Sequence, residues 1–165
     1  MYKYFHNCHT AEDVKKQYRE NAKKYHPDLG GNAEDFKAMR KEYECLWERI
    51  KKVHRNAEGK TYEKETTETP EEFAHIIDTL VKLQGVTVEL CGSWIWCSGN
   101  TQQYKDTLKE LHFKWAYKKK AWYYHTEPYK KKSRRELTLD EIRDMFGSQR
   151  YNQKREEEKK LQAVV

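Results

Sequence analysis

Pro27 divides the first fifty residues into two helical patterns and leaves them no route except to fold back on each other. Before it, Val14, Tyr18, Ala22 and Tyr25 fall within a narrow arc at helical periodicity, and Thr10 with Asp13 forms a variant capping box, so a helix is expected over 11–25. The residue preceding a proline is pushed out of the helical region, so the helix ends at His26, and Gly30-Gly31 supply turn positions. Asn32 can cap a second helix in which Phe36, Met39, Tyr43, Leu46 and Ile50 repeat at alternating helical spacing, with Trp47 widening the stripe. Two apolar stripes joined by a six-residue loop, 26–31, predict an antiparallel hairpin. Lys16, Arg19 and Lys23 are expected on the side of the first helix away from that stripe.

Beyond the hairpin the composition changes. Residues 56–69 are polar and acidic, with too little apolar content to pack, and read as a flexible linker. Thr69-Pro70-Glu71-Glu72 then starts a new helix with the stripe Phe73, Ile76, Ile77, Leu80 and Leu83. Val86–Cys91 alternates as a strand, Gly92-Ser93 suits a two-residue turn, and Trp94–Cys97 returns beside it. Counting from that turn puts Cys91 opposite Trp94 and Glu89 opposite Trp96. Val86, Val88, Leu90, Ile95 and Cys97 then share one face, and Trp94 and Trp96 share the other, outside the main core. A helix bearing Tyr104, Leu108 and Leu111, two strands around Lys118-Lys119-Lys120, and a short helix with Ile142, Met145 and Phe146 complete the pattern. The expected class is α+β: a helical hairpin over 1–55, a linker over 56–69, a small domain with a mostly antiparallel sheet over 70–147, and a charged, frayed tail over 148–165. With 36% apolar residues, neither unit can bury a large core, and each rests on a few large side chains such as the five Trp and twelve Tyr.

The run Val14-Lys15-Lys16-Gln17-Tyr18-Arg19, then Ala22, then Lys24-Tyr25-His26-Pro27-Asp28, followed by Phe36, Met39, Tyr43 and Leu46, resembles the J-domain of DnaJ-type proteins. The tripeptide alone is a weak signal; in register with both helices it is a strong one. The resemblance implies a shortened J-domain and a co-chaperone, with no catalytic residues of its own. In that family His26, Pro27 and Asp28 would dock where the ATPase domain of a DnaK-type chaperone meets its linker, and the Lys16, Arg19, Lys23 face would meet an acidic groove. Asp28 can accept a charge-assisted bond from an arginine, Pro27 limits the loop's freedom before docking, and His26 offers a donor and an acceptor. The chain departs from the family in two ways. Ten residues precede the first helix where J-domains open with a further helix, leaving Tyr2, Tyr4 and Phe5 to cover the seam, and Asn21 stands where leucine is usual.

The second half, from Leu90-Cys91-Gly92-Ser93-Trp94-Ile95-Trp96 to Lys120-Ala121-Trp122-Tyr123, resembles the C-terminal part of small DnaJ-like proteins of Gram-positive gut bacteria and their phages and mobile elements. That likeness implies no role for this half. Net charge is +6, yet residues 86–135 hold 11 Lys/Arg against 4 Asp/Glu. Trp94 and Trp96, with Lys118, Lys119, Lys120, Lys130, Lys131, Lys132, Arg134 and Arg135, are therefore candidates to bind nucleic acid, or to hold a client protein on the tryptophan face. The plainer alternative is tryptophans filling a thin core and lysines keeping it soluble. Zinc at Cys91, Cys97 and His125 is disfavoured because strand neighbours point to opposite faces. No nucleophile, metal or phosphate-loop constellation marks an enzyme, and no cofactor is expected. The four cysteines are expected as reduced thiols, and the lack of a signal pattern or membrane span points to the cytoplasm.

Overall fold

The computed structural model describes residues 2–56, 58–126, 135–146 and 149–151. The chain forms two compact units, Met1–Lys82 and Leu83–Val165. In the first, helix α1 spans Ala11–Tyr25 and α2 spans Ala33–Ile50, joined by a single 3-10 turn at Pro27–Leu29. Both helices begin where their caps place them. The Thr10 hydroxyl accepts from the Asp13 N–H and the Asp13 carboxylate accepts from the Thr10 N–H, while Asn32 accepts from the N–H groups of Glu34 and Asp35. The antiparallel hairpin and the α+β class are as the sequence indicated.

Met39, Tyr43, Trp47, Val14, Tyr18 and Ala22 are fully buried between these helices and their covers. One cover is the N-terminal segment. The N–H groups of Lys3, Tyr4 and Phe5 all donate to the Glu42 carboxylate at 2.8–3.0 Å, so one side chain of α2 fixes three successive backbone donors. Asn21 also holds this segment, donating from its amide to the Tyr4 carbonyl at 2.7 Å. The polar residue that stands where leucine is usual thus has a structural use, because its amide pins the cover down.

The second cover is α3, Pro70–Leu80, and here the expected division of the chain changes. α3 does not open the second unit; it packs against α1 and α2. Phe73 lies 6.1 Å from the Tyr18 ring and 6.3 Å from the Tyr43 ring, and the Tyr18 hydroxyl donates to Asp78 at 2.8 Å. Burial pushes the Tyr18 hydroxyl well above its usual range and raises the Asp78 carboxyl. The acidic segment before α3 is also built into the unit. Strands β1 (Val53–Arg55) and β2 (Thr61–Glu63) pair antiparallel, His54 Nδ1 lies 2.8 Å from the Glu12 carboxylate, and Glu68 is buried against Lys15 at 2.5 and 2.7 Å. Burial works to raise the Glu12 carboxyl, but the His54 contact and backbone donors outweigh it and hold the carboxyl below its ordinary value.

In the second unit, β3 (Val86–Cys91), β4 (Trp94–Gly99), β5 (Lys114–Ala116), β6 (Ala121–Tyr124) and β7 (Gln149–Tyr151) form an antiparallel sheet in the order β5-β6-β4-β3-β7. Cys91 pairs with Trp94 and Glu89 with Trp96, the register counted from the two-residue turn. The strand at Gln149–Tyr151 replaces part of the expected frayed tail. Helix α4 spans Lys105–Glu110, after a 3-10 turn that Thr101 does not cap with its side chain. Helix α5 spans Leu139–Phe146. No helix among the described residues is long and apolar enough to cross a membrane.

Candidate functional site

The 26–31 loop is built by the backbone first. His26 leaves the helical region at ψ 128° while its N–H still closes α1 on the Ala22 carbonyl. Pro27 then starts the 3-10 turn, and the N–H groups of Leu29 and Gly31 both reach the His26 carbonyl, at 3.0 and 2.9 Å. Gly30 is left-handed at φ +87°. Gly31 has a stricter reason to be glycine: a Cβ there would lie 2.1 Å from the Tyr25 carbonyl carbon, so any side chain would displace the loop from the end of α1.

Within this frame His26 and Asp28 take different parts. The His26 ring is buried, edge-on to Phe36 with centroids 5.0 Å apart, and its Nδ1 accepts the Asp28 N–H at 3.1 Å. That bond uses the ring's acceptor and leaves Nε2 as its donor. His26 shapes the loop from below. Pro27, Asp28 and Leu29 are exposed, and the Asp28 side chain keeps 63% of its surface. Lys82 Nζ lies 3.5 Å from the Asp28 carboxylate, a neighbour that no local pattern announced, since α3 carries it back to the loop from 54 positions away.

The basic face of α1 is narrower than expected. Lys16 and Lys23 are exposed, with Glu20 between them on the same side, but Arg19 is only 5% exposed. Its expected place on the open face is corrected: Arg19 is buried one turn beyond Lys15, on a helix that α3 packs against and whose Lys15 is covered by Glu68.

Residues 5–56 match the family model for the DnaJ domain. Over these residues the chain is similar to a J-domain. The chaperone protein DnaJ of Bacillus licheniformis is 42% identical over 55 residues, which is 32% of this chain and 15% of that protein. The DnaJ proteins of Geobacillus sp. and Parageobacillus thermoglucosidasius are each 44% identical over 48 residues, 27% of this chain and 13% of theirs. The match thus spans less than a sixth of these relatives. No solved structure matches the chain. The J-domain match ends before β2 and α3, so the helix that completes the unit lies outside the matched segment.

In the second unit the tryptophan face is occupied. Trp96 is 4% exposed and packs with Cys91 and Ala121, and Trp94, Tyr123, Leu139 and Ile142 close around them. The Arg143 guanidinium reaches the buried Glu89 carboxylate at 2.6 and 2.8 Å, and that contact raises the pKa of the guanidinium further. The expectation that both tryptophans stand outside the core is corrected: α5 lies over them, and only Trp94 is half-exposed. Cys91 and Cys97 fall on opposite faces of the sheet. Lys118 and Lys120 are exposed, Lys119 is half-buried, Lys118 pairs with Glu136 at 2.7 Å, and Arg135 pairs with Glu141. Lys130, Lys131, Lys132 and Arg134 lie outside the described residues.

Proposed function

We propose that this chain is a cytoplasmic co-chaperone that binds a DnaK-type heat-shock ATPase through its J-domain and stimulates ATP hydrolysis, while the second unit selects the client. The observation that carries this reading is the division of labour in the loop. Buried His26 fixes the backbone, and Asp28 is held outward, where a carboxylate can take a bidentate arginine bond. Lys16 and Lys23 steer the encounter more than they add affinity.

The test is ATP turnover by a DnaK-type chaperone with the wild type, His26→Gln and Asp28→Asn. The wild type accelerates turnover. Asp28→Asn loses most of that acceleration because a lost charge-assisted bond costs roughly 1.5–3 kcal/mol, or about 10- to 150-fold. His26→Gln loses it because the ring that packs on Phe36 and fixes the loop is gone. Turnover that is the same with and without the wild type would remove the proposal. Lys82 competes with the partner's arginine for Asp28, so Lys82→Ala lowers the concentration for half-maximal stimulation by about 2- to 5-fold, the range open to an exposed pair. An unchanged concentration would show that Asp28 is not held back by this cation.

A second reading, a nucleic-acid-binding protein of a phage or mobile element that recruits the chaperone through the same loop, is favoured by one observation: the turn between β5 and β6 exposes a tyrosine among lysines.

A further inference from the structure

Residues 111–126 contain four lysines and no carboxylate. The structure gathers them at the outer end of the sheet, because β5 is its edge strand and the turn 117–120 joins it to β6. Lys114, Lys118 and Lys120 are exposed. Tyr117, which no periodicity singled out, is 83% exposed, more than Leu29, Tyr62 or Met145, the other exposed large apolar side chains among the described residues. Its ring stands edge-on to Trp115 at 6.4 Å, and Trp115 packs on Trp122 at 5.5 Å, so the tyrosine is set on a firm aromatic base while its own face stays open. Folding gains little from a ring left in water.

The backbone adds a second sign. Lys120 has φ +50°, a left-handed conformation that glycine adopts without strain and a lysine does not. A charged side chain kept at such a position points to use of that side chain. The opposing feature is Glu136, whose pair with Lys118 a phosphate must displace, whereas among the described residues no carboxylate pairs with Lys114, Lys119 or Lys120. The tryptophan face does not compete for this role, since α5 packs over it.

We propose that the β5–β6 turn binds single-stranded nucleic acid, Tyr117 stacking on an unpaired base while Lys114, Lys118 and Lys120 follow the phosphates. A single strand is specified because an isolated ring can stack only on a base whose face is free, whereas cations alone would accept a duplex or an acidic protein equally. This rests on the second reading above and names its site.

The experiment is fluorescence anisotropy of a short fluorescein-labelled oligothymidylate titrated with the full chain at several salt concentrations. Binding weakens with salt at a logarithmic slope of about 2, as expected for roughly three phosphates neutralised on a single strand. Tyr117→Ala weakens binding by about 5- to 100-fold and leaves the slope unchanged. Lys120→Gly weakens binding and lowers the slope by about 0.7, while its melting temperature stays level or rises as the left-handed strain is relieved. Both variants keep their stimulation of the ATPase. Salt-dependent binding untouched by Tyr117→Ala overturns this site and leaves the second reading standing elsewhere on the chain. Absence of salt-dependent binding, or equal binding of polyglutamate, overturns both.

Discussion

A chain cut after Asn56, where the family match ends, is expected to lose cooperative unfolding of its hairpin, whereas a chain cut after Lys82 keeps it. Helices of 15 and 18 residues are marginal alone in water, and these two rely on a third surface. Tyr18, Tyr43 and Trp47 are fully buried in the complete unit, and Phe73 of α3 packs on the first two. Removing Phe73 alone, as Phe73→Ala, is worth about 3–5 kcal/mol, and the cut removes the whole helix together with the acceptor of the Tyr18 hydroxyl. Far-UV circular dichroism and urea titration decide the matter. A sigmoidal transition in the shorter fragment, with the midpoint of the longer one, would mean that α3 is decoration. The same fragment should fail to stimulate a DnaK-type ATPase, because Asp28 is useful only on a loop whose base, His26 against Phe36, is packed.

Glu68→Ala is expected to cost nearly as much by a different route. The side chains of Lys15 and Glu68 are each only 5% exposed, and the Lys15 ammonium sits 5.5 Å from the Trp47 ring and 5.1 Å from Phe73. Deleting the carboxylate strands a cation among aromatic rings, a loss of about 3–5 kcal/mol. Replacing both partners with apolar residues of similar volume, Lys15→Met with Glu68→Leu, is expected to be neutral or stabilising by about 1–4 kcal/mol, since the desolvation cost of both charges disappears. Urea midpoints at unchanged slope give the comparison. A single substitution costing under about 1 kcal/mol would show that water reaches this pair.

These two expectations also mark where reading the chain alone stops. Both hairpin helices, their caps and the loop were legible because every signal is local: Thr10 with Asp13, Pro27 after His26, Asn32 before an alternating stripe. The β3–β4 register was legible because a two-residue turn fixes it by counting. The seat of α3 was not. Phe73, Ile76 and Ile77 announce a helix that needs a surface, but nothing near them says whether that surface precedes or follows. Arg19 was expected on the open face and Lys15 drew no expectation at all, because burial of a charge depends on what covers it, and for Lys15 the partner is 53 positions away. β2 left no trace because all three of its residues are exposed, so it carries no alternation. Lys82 and Tyr117 were missed for the opposite reason: each matters through where a turn or helix end delivers it, not through any pattern it belongs to.

The distance along the chain from Lys15 to Glu68, and the 60 positions from Tyr18 to Asp78, set an order of events during synthesis. At roughly 5–20 residues per second, the hairpin with its finished loop leaves the ribosome a few seconds before α3. Through that interval the loop is complete while the aromatic flank of the same hairpin stands open, so if the proposed chaperone docks at the loop, the first unfinished protein it meets there is this chain itself.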